Sequence, residues 1–158
     1  MATHKRRVPA AAMMPETSDT TFHNQGIPGV PRWVLRSADP NPVFFFYISD
    51  VKTDDTFTKL SLAAALLDNS GTFQAWAALE QFDEHGVLEP IAMVRSKSTG
   101  GLTKVDSVTI SIPNGVNASP KVDLTKFTYL LRVGLINSSP SRNTGQIVVP
   151  WLEYTYKT

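Results

Sequence analysis

Phe127-Thr128-Tyr129-Leu130-Leu131-Arg132-Val133-Gly134-Leu135 is the stretch on which the fold turns. Phe127, Tyr129, Leu131, Val133 and Leu135 share one side of a period-two alternation, and Thr128, Arg132 and Gly134 share the other. Successive side chains of an extended chain point to opposite faces, so this pattern predicts a strand with one face in a core. The alternation recurs twice. Phe73, Ala75, Ala77 and Leu79 oppose Gln74, Trp76 and Glu80, and Val108, Ile110 and Ile112 oppose Ser107, Thr109 and Ser111.

Outward from these runs, the chain from residue 31 reads as short apolar and β-branched segments cut off by turn residues. Strands are expected at about 31–37, 43–49, 56–60, 72–82, 87–95, 105–112, 127–136 and 146–156. Asp83-Glu84-His85-Gly86 reads as the turn of a hairpin, and Pro113-Asn114-Gly115 as a strand end. The Ala and Leu spacing from Leu60 to Leu67 suits a helical turn or two, closed by Asp68-Asn69-Ser70-Gly71. Pro150 inside the last strand predicts an edge or a bulge there. The expectation is an all-β, eight-stranded antiparallel jelly-roll sandwich. Its core should hold Phe73, Leu79, Val108, Ile110, Phe127, Tyr129, Leu131 and Val133.

Residues 1–30 carry five Gly or Pro residues and no period, so they read as a flexible N-terminal arm ahead of a body spanning 31–158. The arm holds the densest positive charge in the chain, Lys5-Arg6-Arg7. With a net charge of +1, only such local clustering offers a polyanion a foothold, and Arg32 and Arg36 beside Trp33 extend it. The absence of cysteine removes disulfides, thiolate metal sites and a Cys nucleophile. The apolar runs are too short for a transmembrane helix, so no membrane partner is expected.

No catalytic motif stands out, and no enzymatic activity is expected. His4, His23 and His85 form no close pair, and no third group is placed to orient a histidine base. Glu80 with Glu89, and Asp83 with Glu84, are the only acid pairs that a glycosidase reading offers. Asp50, Asp54 and Asp55 cluster around one loop and are the Ca²⁺ candidate, without the ligand order of an EF-hand. Phe44, Phe45, Phe46 and Tyr47 put aromatic rings on both faces of one strand, which predicts cover from a second sheet and from an arm or neighbouring subunit. With Trp151 they are the interface candidates.

A short basic arm followed by a single eight-stranded β body resembles the coat proteins of small icosahedral RNA viruses, satellite viruses above all. That resemblance implies a structural capsid protein in a virion. Many identical subunits would form a closed shell, with Lys5, Arg6, Arg7, Arg32 and Arg36 facing genomic RNA. Two alternatives stay open. One is a β-sandwich carbohydrate-binding or viral attachment module, with Trp33, Trp76 or Trp151 as a stacking platform; the other is a β-sandwich hydrolase.

Overall fold

A computed structural model describes residues 1–9, 12–15, 43–68, 73–97, 105–112, 118–137 and 146–158. Among them are ten strands in two antiparallel sheets of five. They are β1 (Thr3–Pro9), β2 (Met14–Pro15), β3 (Val43–Ile48), β4 (Thr56–Asp68), β5 (Phe73–Phe82), β6 (Leu88–Arg95), β7 (Asp106–Ser111), β8 (Thr128–Asn137), β9 (Gln146–Val148) and β10 (Trp151–Lys157). The first sheet runs β1-β10-β4-β7, with β9 also on β4, and the second runs β2-β3-β8-β5-β6. With the short β2 and β9 set aside, the strand order is that of a jelly roll, the expected all-β sandwich.

The inner faces follow the alternations. Tyr129, Leu131 and Val133 of β8 and Ala75, Ala77 and Leu79 of β5 have no exposed surface. They pack with Phe57, Leu60 and Leu62 of β4 and Leu152 and Tyr154 of β10 into one cluster. Of the other expected core residues, Val108, Ile110 and Phe127 are partly buried against this cluster, and the Phe73 side chain lies outside the described residues. The expected Asp83–Gly86 turn joins β5 to β6. Asp83 Oδ1 accepts the amides of His85 and Val87 at 2.9 and 3.0 Å, and Gly86 sits at φ 76°, a left-handed conformation that glycine takes without strain.

Three segments depart from expectation. The strand expected at 31–37 lies outside the described residues, and a strand not expected there forms inside the supposed arm. β1 pairs along its length with β10, from Thr3 with Lys157 to Pro9 with Trp151. Its exposure explains why it escapes a hydrophobic reading, since Val8 is its one buried residue. As the outer strand of its sheet it needs only one apolar anchor, and its Lys and Arg keep the free edge unattractive to other strands.

The second departure is at 60–67, where no helical turn forms. β4 stays extended through Asp68, with Leu60, Leu62 and Ala64 in the core cluster and Ser61 and Ala63 buried between them. A bulge opposite Thr155 and Tyr156 inserts one residue into β4, so Phe57 and Leu60 both point inward although three positions apart. That slip breaks the continuous period two.

Third, the final strand divides at Val149–Pro150 into β9 and β10, as an interior proline requires. β10 is no edge, however, because β1 covers its outer side.

The latch between the sheets is Asp50, just beyond β3. It accepts a hydrogen bond from the Tyr154 hydroxyl and one from Arg6 Nε at 2.6 Å, while its backbone carbonyl accepts the Tyr156 hydroxyl at 3.0 Å. Burial, together with the adjoining Asp50 carboxylate, holds the Tyr154 phenol well above the usual tyrosine range, so it remains a donor. The His4 ring stacks on Tyr156 with centroids 5.0 Å apart, adding a further contact between β1 and β10.

Three outcomes follow from this packing. Leu131→Ala, which empties a fully buried site, should cost about 2–5 kcal/mol in denaturant unfolding. Asp50→Ala strands the buried Tyr154 hydroxyl and should cost about 1–3 kcal/mol. Arg6→Ala, which removes an exposed partner, should cost less than Asp50→Ala in the same measurement.

Candidate functional site

Strand alternation divides the basic cluster. Lys5 and Arg7 point outward, where Lys5 Nζ lies 2.9 Å and an Arg7 guanidinium nitrogen 3.2 Å from Glu153. Arg6 points inward to Asp50. All three are therefore held in a sheet rather than on a loose arm, while Arg32 and Arg36 lie outside the described residues.

The Ca²⁺ candidates separate in the same way. Asp50 serves the latch, Asp54 pairs with Lys121 Nζ at 2.8 Å, and the buried Asp55 accepts the Lys52 amide at 2.8 Å. Among the described residues no three His, Cys, Asp or Glu side chains gather as a metal site. Nor do the acid pairs of a glycosidase converge. Glu80 is taken by Arg132, Glu89 accepts from Gln81 Nε2 at 3.0 Å, and Asp83 is spent on its turn beside the exposed His85.

The aromatic strand β3 resolves into two faces. Phe44 is buried in the core and Phe46 packs against it, which removes both from any interface. Phe45 and Tyr47 lie on the outer side of the second sheet, their rings edge-to-face at 5.3 Å, and Tyr47 is 48% exposed. Phe82 adds a third ring, 6.2 Å from Tyr47. Trp151 lies on the far sheet, with the Arg7 guanidinium stacked 4.1 Å from its ring centre.

Trp76 is the residue that organises the outer face of the second sheet. It stands directly opposite Gly134 in the β5–β8 register. A Cβ at position 134 would lie 2.6 Å from Trp76 Cε2 and Nε1, closer than real contacts allow. The indole thus lies over the glycine, across the β8 backbone, instead of standing up from β5. Ala78, two residues along β5, keeps the adjoining floor low.

Beside the indole is a charged pair. Arg132 Nη1 donates to Glu80 Oε2 at 3.2 Å, and the guanidinium lies 5.7 Å from the indole ring centre. The Glu80 side chain is only 8% exposed, so the pair is fixed in place. Flat aromatic surface beside a fixed donor and acceptor matches a sugar ring, which offers C–H groups on its face and hydroxyls around its rim.

Trp76 is recognisable in the sequence only as one of three tryptophans. Gly134, Arg132 and Glu80 become its neighbours through the pairing of β5 with β8, and no local motif announces that pairing.

No protein-family model and no curated protein sequence matches the chain. Its structure is similar to several solved ones. The CBM36-1 domain of a multidomain xylanase, from the hindgut metagenome of Trinervitermes trinervoides, aligns with a TM-score of 0.56 at 10% identity, covering 96% of both chains. A xylan-binding module, CBM15, aligns at 0.51 with 13% identity, over 98% of this chain and 97% of that one. CBM35 from Cellvibrio japonicus Abf62 aligns at 0.50 with 14% identity, over 96% and 92%.

At these identities the likeness is one of fold. It overturns the coat-protein resemblance, because the fold's neighbours are carbohydrate-binding modules. The icosahedral shell of identical subunits, the packaged RNA genome and the virion location fall with it. A basic arm ahead of an eight-stranded body carried that expectation. The basic stretch of that arm, within Thr3–Pro9, is a strand of the body.

The seat of Trp76 is directly testable. Gly134→Ala should displace the indole, changing its fluorescence and near-ultraviolet circular dichroism, at a cost of about 1–3 kcal/mol.

Proposed function

We propose that this chain is a non-catalytic carbohydrate-binding module that holds a polysaccharide across the outer face of its second sheet. The observation that carries this reading is Trp76, laid over Gly134 beside the Arg132–Glu80 pair. A sugar ring meets the partly exposed indole, and Glu80 and Arg132 take hydroxyls beside it. Phe45, Tyr47 and Phe82 lie elsewhere on the same face, so a chain of several sugars finds more than one contact. Shallow open faces of this kind bind by summing modest contacts, which suits polymers better than single sugars.

Xylan is the first glycan to test, since two of the similar structures carry it or its hydrolase in their descriptions. Electrophoresis of the native protein through gels containing soluble xylan should show retardation. Trp76→Ala should weaken binding about tenfold or more, as loss of a central aromatic anchor does, and leave the unfolding midpoint near that of the parent. Tyr47→Ala should give a smaller loss. Equal retardation of the parent and Trp76→Ala would place the site elsewhere. An unretarded parent, across xylan, glucan and galactan gels, would remove the reading.

A further inference from the structure

The opposite side of the sandwich carries a second surface of different chemistry. Two rows of side chains cross the outer face of the first sheet. One is Arg7–Glu153–Ser61–Thr109, and the other is Lys5–Thr155–Lys59–Ser111, each spanning β1, β10, β4 and β7. A groove of about 520 Å³ runs over them, with Thr3, Thr58 and Lys157 at its margin. Its floor is polar. Ser61, Glu153 and Thr155 are all buried, and the Ser61 and Thr109 hydroxyls hydrogen-bond each other at 2.8 Å.

The charges on this face are unbalanced. Lys5 and Arg7 pair with Glu153, the one carboxylate among the described residues lining the groove, and Lys59 and Lys157 stand further along it, so cations exceed carboxylates by three on one side of a chain whose net charge is +1. Glu153 sits low, with 8% of its side chain exposed, and Lys5 and Arg7 rise from it with 62% and 56% exposed. Among the described residues no carboxylate pairs with Lys59 or Lys157. Strands stand about 4.8 Å apart, so Lys5 and Lys59, two strands apart in one row, are roughly 10 Å apart at the backbone. The cations are thus spread along the groove rather than gathered at a point.

We infer that this groove is a second binding site, selective for glycans that bear carboxylate or sulfate groups. The cations take the anionic groups, and the Ser and Thr hydroxyls, which both donate and accept, take the sugar hydroxyls between them. Among the described residues no aromatic side chain lines the groove, so they offer unpaired bases nothing to stack on. The Trp151 indole on the same sheet has Arg7 on its face. An acidic polysaccharide matches this lining better than a nucleic acid does. The site shares no residue with the Trp76 face and stands whether or not that face binds neutral glycans.

The test is native electrophoresis of the whole chain through gels containing polygalacturonate, chondroitin sulfate or neutral xylan. Both acidic polymers should retard the protein at low salt, and the effect should fade as ionic strength rises to a few tenths molar. Stronger retardation by one of the two would show whether carboxylate or sulfate is the preferred group. The double variant Lys59→Ala/Lys157→Ala changes two exposed side chains, so its unfolding midpoint should match the parent. Its dissociation constant for the preferred acidic polymer should rise about fivefold or more, with no change towards neutral xylan. Trp76→Ala should show the reverse pattern. Three results would overturn the proposal: no retardation by either acidic polymer at low salt, unchanged binding by the double lysine variant, or equally tight binding of a single-stranded oligonucleotide through the same lysines.

Discussion

The strict alternation of β10 is the constraint on which the structure depends. Leu152, Tyr154 and Tyr156 face inward, and Glu153, Thr155 and Lys157 face outward. The inward set completes the core and brings two phenols to Asp50, which ties the first sheet to the end of β3 in the second. The outward set supplies the carboxylate around which Lys5 and Arg7 gather. β1 is held by both sets at once, through Val8 and Arg6 on one side and Glu153 on the other. A shift of one residue in that register would send Tyr154 to water and bury Glu153 without its cations.

The two outer faces show how one scaffold supports different chemistries. On the second sheet, small residues at Ala78 and Gly134 let an indole lie down, and a single ion pair flanks it. On the first sheet, hydroxyls and cations cover short polar floor residues. The side chains that set the chemistry of each face lie outside the core cluster, so the two faces can differ while the core stays the same. This separation is why a fold class says so little about activity.

That separation also marks what could be read from the chain. β5, β7 and β8 were legible because apolar residues recur at every second position on the side facing the core, and the Asp83–Gly86 turn and the break at Pro150 follow from local chemistry. β1 was illegible because an edge strand with one buried residue has no hydrophobic signature. The far half of β4 was illegible because the bulge near Thr58 puts Phe57 and Leu60 on the same face, mixing the two periods. The candidate site was the least legible. The tryptophan was visible, but Gly134 became its seat only through a pairing that spans nearly sixty positions of sequence.

The pairing of β1 with β10 carries a consequence for how the protein comes to be made. A ribosome releases β1 long before β10 exists, and the sheet cannot form its outer half until both are present. Throughout that interval β1 is an extended segment without its partner, the kind of sequence that invites pairing with a neighbouring nascent chain. Lys5, Arg6 and Arg7 repel their counterparts on another copy during that wait. In the folded chain Lys5 and Arg7 pair with Glu153 of that partner strand, and Arg6 with Asp50. A charge run that looks like a tail in the finished sequence is a strand whose like charges disfavour pairing with another copy of itself.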